Sequence, residues 1–170
     1  GIGILWTLLL LSSTLSLRKI YQDDFDNGNI VLLHLNGFSL ELIVVLKTIS
    51  HFVFVQIPFL LSIPLASILL NISIEKIYDL GVSFLIGSLI LSSLGSISSS
   101  MNLLNQRNYL LGSVIVMIFS IPVIIFSVGI INSDENFNSL INILIGILLI
   151  IFAINPWASS SCLKIALQNN

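Results

Sequence analysis

The sequence predicts an all-α, polytopic membrane helix bundle, and three observations carry that prediction. Hydrophobic residues make up 56% of the 170 residues and charged residues 8%, where about a quarter of an ordinary soluble domain is charged; the mean hydropathy is +1.09. Five apolar stretches reach or approach the ~20 residues that a helix needs to cross about 30 Å of hydrocarbon. Those stretches are continuous rather than alternating, which excludes a transmembrane β-barrel. Residues 1–170 therefore read as one transmembrane domain.

The first stretch, residues 1–17 (GIGILWTLLLLSSTLSL), is a turn short of a full span. Because Gly1 already lies inside it, residues upstream are expected to complete it. Residues 18–47 follow, and half of the chain's charged side chains fall in them. Asn27-Gly28 and Asn36-Gly37 are turn signals. Between them NIVLLHL is too short to span but apolar enough to lie at the interface or dock on a partner, so a short surface helix is expected. Ser39 is placed to cap the next helix, with Glu41 in its first turn, where an acid suits the helix dipole.

That helix enters the membrane past Lys47 and His51 as a span of about 48–73, interrupted by Pro58 and Pro64. Pro122 interrupts the fourth span, 109–131. Each proline frees a backbone carbonyl that a neighbouring helix or a Ser/Thr hydroxyl has to satisfy, so all three read as kinks and candidate hinges. In the third span, 80–101, Ser88, Ser92, Ser96 and Ser100 recur every four residues beside Gly87 and Gly95. Small residues at that spacing let helices approach closely. Close packing is the leading reading of these serines, and a polar lining of a substrate path is the alternative. The fifth span covers 138–157. Residues 122–140 fit either a simple outer loop or a pair of half-inserted helices.

Arg18, Lys19, Lys47, Arg107 and Lys164 fall on one face of the membrane if the spans alternate. The opposite connections hold only Lys76, beside Glu75 and Asp79, and the acidic NSDENFN. Bases are held back on the cytoplasmic or matrix side during insertion, which sets the expected orientation. A net charge of −2 from eight acids and six bases leaves no footprint for nucleic acid. The single cysteine, Cys162, excludes an internal disulfide.

Catalytic and nucleotide-binding motifs are absent: there is no GxSxG, HExxH or GxxxxGK[ST], and GIGILW lacks the last glycine of a dinucleotide fingerprint. His34 is expected to be solvated or partner-facing. His51, one helical turn after Lys47, is expected to snorkel or bond a neighbour rather than ligate iron. No Asp, Glu, Lys or Arg sits mid-span, although proton-driven pumps and ion-coupled carriers keep ionisable groups there. Any energy for transport is therefore expected from a partner, through the charged segment.

Together Trp6, Ser12, Ser13, Arg18, Asp23, Asp24, the turn from Asp26 to Gly28, Lys47 with His51, and Pro58 with Pro64 form a pattern. It resembles the CcmB family, the permease subunits of the ABC-type haem exporter complexes of cytochrome c maturation. Pro122, Ile125 and Phe126 later in the chain, and Pro156, Trp157 and Ala158 near its end, are similar to the same family. Two departures stand out. The family's first span and amphipathic N-terminus are missing, so an N-terminally truncated chain with five of six spans is expected. Around Gly37 the family carries prolines, where this chain has LNGFS.

The resemblance implies a non-catalytic permease half with a cytoplasmic coupling segment at 18–47. Its partners would be a CcmA-like ABC ATPase that binds the ATP, a CcmC-like haem-handling protein and a CcmE-like haem chaperone. Hydrolysis would release haem-loaded chaperone rather than simply pump haem. Haem is then the expected substrate, with no cofactor held by this chain, in a mitochondrial inner or bacterial plasma membrane. Residues 18–38 occupy the coupling helix's position: Asp23, Asp24, Phe25, Asp26 and Gly28 would shape it, and Ile30, Leu32, Leu33 and Leu35 would touch the ATPase. Two other readings stay open, a permease for lipid or polysaccharide export and a membrane scaffold for haem-delivery proteins that moves nothing.

Overall fold

The computed structural model describes residues 2–69, 71–104, 110–132 and 136–168, without the side chains of 17–19, 110 and 111. The regular structure among the described residues is helical, and five helices are long and apolar enough to cross a membrane. Helix α1 (Ile2–Asp26) leads to a short α2 (Asn29–Leu35). The second crossing is composite: α3 (Leu40–His51), a π-helical turn (Phe52–Gln56), α4 (Ile57–Leu61) and α5 (Ile63–Leu69). Helices α6 (Ile74–Leu104), α7 (Leu110–Asn132) and α8 (Phe137–Gln168) complete the bundle.

Helix α1 does not stop at residue 17. Nothing breaks it before Asn27-Gly28, where Gly28 takes φ 73°, a left-handed conformation open to glycine. Asp23, Asp24 and Asp26 consequently sit on the last turns of a spanning helix and not in a loop. Helix α8 likewise runs through Pro156 to Gln168, beyond the expected end at 157. A proline removes one backbone bond, and the buried positions Ser159, Leu163 and Ala166 keep helical spacing past it, so packing holds the helix together.

The prolines differ from one another. At the π-turn the Ile57 amide donates to Phe52 O, five residues back, and this widened turn takes up the ring of Pro58. Before Pro64 the Ser62 amide and hydroxyl both donate to Phe59 O, at 3.1 and 2.6 Å, and close the turn between α4 and α5. Pro122 does not interrupt its helix, which continues to Asn132. Among the described residues there is no pair of half-inserted helices near 122–140: α7 and α8 pack on each other, and residues 133–135 between them lie outside the described residues. Arg107 lies outside them too.

Helix α6 is the centre of the bundle. Its apolar window is 72% buried, against 33% or less in the other four spans, and it packs on α1, α3, α7 and α8. Its sequence explains this, because serines and glycines on every side leave no broad greasy stripe for lipid and admit neighbours closely. The Trp6 indole meets Gly87 edge-on: a Cβ there would overlap Trp6 Cη2, the outer corner of the ring. Phe84 packs on the indole, tilted, at 4.4 Å between centroids, and Phe59 stacks on Phe84 at 6.1 Å. Gly87→Ala is therefore expected to destabilise the bundle by about 1–2 kcal/mol through overpacking, read as a lower thermal midpoint in detergent. An unchanged midpoint would show that Trp6 moves freely.

Candidate functional site

The expected coupling segment and a buried polar layer meet at one end of the bundle, where α1 ends, α2 lies and α3 begins. Helix α2 is short because turns close it on both sides. Gly28 and Gly37 both have positive φ, at 73° and 92°, and His34 Nδ1 bonds Phe38 O at 3.0 Å. Ser39 caps α3 as expected, its hydroxyl accepting from the Leu42 amide at 3.3 Å.

Ile30 is wholly buried and anchors α2, whereas Leu32, Leu33 and Leu35 are exposed, Leu35 by 77%. This corrects the expected contact set, because Ile30 faces its own chain. Phe25, 7% exposed, also belongs to the core and cannot be a docking contact. The acids differ as well. Asp23 is exposed, and Asp26 accepts from Gln22 Nε2 at 3.0 Å on both oxygens. Asp24 pairs with the Lys47 ammonium and accepts from Asn29 Nδ2 at 3.0 Å, tying α1, α2 and α3 together. Lys47, expected only to set topology, is thus engaged.

One turn deeper lies a layer of uncharged polar side chains, all buried. Tyr21 Oη meets Ser96 Oγ at 2.7 Å, and Ser96 reaches Ser159 Oγ at 3.5 Å. Ser159 donates to Asn155 Oδ1 at 2.9 Å, Asn155 Nδ2 donates to Thr48 Oγ1 at 2.9 Å, and Thr48 donates to Val44 O at 2.9 Å. The chain of bonds therefore crosses α1, α6, α8 and α3. Beside it His51 lies between two serines, with Nδ1 3.1 Å from Ser92 Oγ and Nε2 2.6 Å from Ser16 Oγ.

Ser16 gives its proton to Ser13 O at 2.8 Å. That assigns the Nε2 proton to His51, which donates to Ser16 and accepts from Ser92 at Nδ1. A serine that donates elsewhere is not activated, and both imidazole nitrogens are engaged within the chain. The arrangement joins α3 to α1 and α6, and it leaves neither ring nitrogen open to a metal.

Of the four-residue serine series, Ser92 and Ser96 make cross-helix bonds, while Ser88 and Ser100 donate to carbonyls of their own helix. No motif in the sequence marks Tyr21, Thr48, Ser159 or Ser16. For Asn155 a signal existed, a carboxamide inside the apolar run IIFAINPW.

Residues 1–166 match the family described as CcmB protein. Among similar proteins, heme exporter protein B of Haemophilus influenzae is 27% identical over 98% of this chain and 77% of its own length. That of Rhodobacter capsulatus is 28% identical, over 98% and 78%. That of Paracoccus denitrificans is 31% identical, over 98% and 78%.

Proposed function

This chain belongs to the CcmB protein family, and from that premise we propose that it is the transmembrane subunit of a haem exporter, driven by ATP hydrolysis in a partner subunit. The observation that carries the proposal is the match over nearly the whole chain, to relatives named heme exporter protein B. The exposed leucines of α2 support where the drive enters. An apolar face on a short, anchored helix, outside the spans and beside acids, suits a groove on a cytoplasmic ATPase of the CcmA kind.

On this reading the base-rich face, with α2, points to the cytoplasm or matrix of a bacterial plasma or mitochondrial inner membrane. Docking of the ATPase moves α2 against the ends of α1 and α3, and the Asp24–Lys47 pair and the Tyr21-to-Thr48 bonds carry that movement into the spans. This subunit performs no chemistry itself. CcmC-like and CcmE-like proteins would receive the haem, and hydrolysis would free the loaded chaperone.

Deletion of the gene tests the proposal against lipid or polysaccharide export. The expected result is loss of covalently haemylated c-type cytochromes, by in-gel haem staining, with envelope lipids and polysaccharides unchanged. The reverse pattern would assign the exporter to the envelope. Maturation that survives an ATPase-dead partner would make this subunit a scaffold.

A further inference from the structure

Two clefts beside the polar layer share a wall. One of about 220 Å³ lies between α1 and α3, with Ser16 and His51 as its polar end and Ile20 and Phe54 among its apolar sides. The other, about 190 Å³, lies between α2 and α3 against Leu33, Phe38, Ile43 and Leu46. Lys47 and Ser50 line both. Separately, at 220 and 190 Å³, they fall short of the ~300 Å³ at which ligand sites begin; joined they come to roughly 400 Å³.

We propose that Lys47 is a gate between the two clefts, latched by Asp24, and that its release makes one site for an amphipathic anion. The latch is light. The paired side chains are 28% and 24% exposed, and ion pairs reached by water contribute little net stability. It also lies where docking can reach it, because Asp24 bonds Asn29, the first residue of α2. A shift of α2 draws Asp24 away, and the Lys47 ammonium, on a flexible four-carbon arm, turns to the joined cavity. There it meets an anionic group at the polar end while Ile20, Phe54, Leu46 and Phe38 take the apolar body. Haem, with its two propionates, has this chemistry, and so does an anionic phospholipid. The choice of haem rests on the function proposed above; the gate does not.

The test uses the chain with its partner ATPase in nanodiscs. Haemin binding is followed by absorbance, and retention of anionic phospholipid by native mass spectrometry. Asp24→Asn is expected to tighten binding of the occupant about tenfold, Lys47→Gln to weaken it about tenfold, and the double variant to behave as Lys47→Gln. Lys47→Arg should retain binding. Should Lys47→Gln not fold, Ser50→Phe decides, since bulk in the shared wall must abolish binding. Binding of both amphiphiles that ignores Lys47 and Ser50 overturns the gate, even if gene deletion still removes c-type cytochromes. A Lys47-dependent response to phospholipid alone upholds the gate and removes haem from it.

Discussion

Asn155→Leu is expected to lower stability by about 2 kcal/mol and to uncouple the bundle from its drive. The carboxamide is buried and joins α8 to α3, accepting from Ser159 at 2.9 Å and donating to Thr48 at 2.9 Å. Leucine has the same branched outline with bulkier methyl ends, so the change removes bonds without opening a cavity. Interhelical hydrogen bonds in membranes average about 0.6 kcal/mol and reach about 1.7. Here the one interhelical bond, to Thr48, is lost together with the Ser159 bond inside α8, and the two come to about 2 kcal/mol. Because replacing both partners of a bond costs less than orphaning one, adding Thr48→Val should recover part of the loss. Denaturation in detergent measures both variants. An Asn155→Leu protein of unchanged midpoint would mean that the polar layer is not a brace.

Leu32→Asp combined with Leu35→Asp is expected to weaken capture of the ATPase about a hundredfold, or ~3 kcal/mol, while leaving the fold intact. Both leucines are exposed, at 58% and 77%, and surface changes away from special features shift stability by no more than about 0.5 kcal/mol. Two buried apolar anchors at an interface, in contrast, each carry about 2 kcal/mol or less when removed. Ile30→Asp provides the contrast. Ile30 is wholly enclosed, so a carboxylate there is expected to dislodge α2 itself, seen as a lower melting midpoint. Co-purification of the ATPase, set beside thermal melts, separates the two effects. If the double variant still pulls down the ATPase, α2 is not the docking helix.

Much of the architecture was legible in the residues. The five spans follow from apolar length, α2 from the two Asn-Gly turns around NIVLLHL, and the start of α3 from Ser39. What hydropathy misplaced were the helix ends. Hydropathy falls at Arg18 and after Trp157, but a helix ends where its backbone is stopped, at Gly28 for α1 and at no residue before Gln168 for α8. The site was less legible, for a geometrical reason. Ile30, Leu32, Leu33 and Leu35 are equal as apolar residues, and only the seating of α2 buries the first and exposes the others. Tyr21, Ser96 and Ser159 lie far apart in sequence, and their meeting depends on how α1 and α8 are set against α6. The four-residue period marks Ser92 and Ser96, yet their partners depend on that same register. Lys47 and Asp24 each had a sufficient local explanation, so nothing in the sequence pointed to their pairing.

The central claim is that energy enters through α2, and site-specific photo-crosslinking from Leu35 tests it most directly. A photoreactive residue at Leu35, in membranes containing the assembled complex, should join the chain to the ATPase subunit. The same probe at Ile125 on α7, 62% exposed within an apolar span, should give lipid adducts only. Lipid adducts at Leu35, or an ATPase adduct from Ile125 in its place, would contradict the assignment.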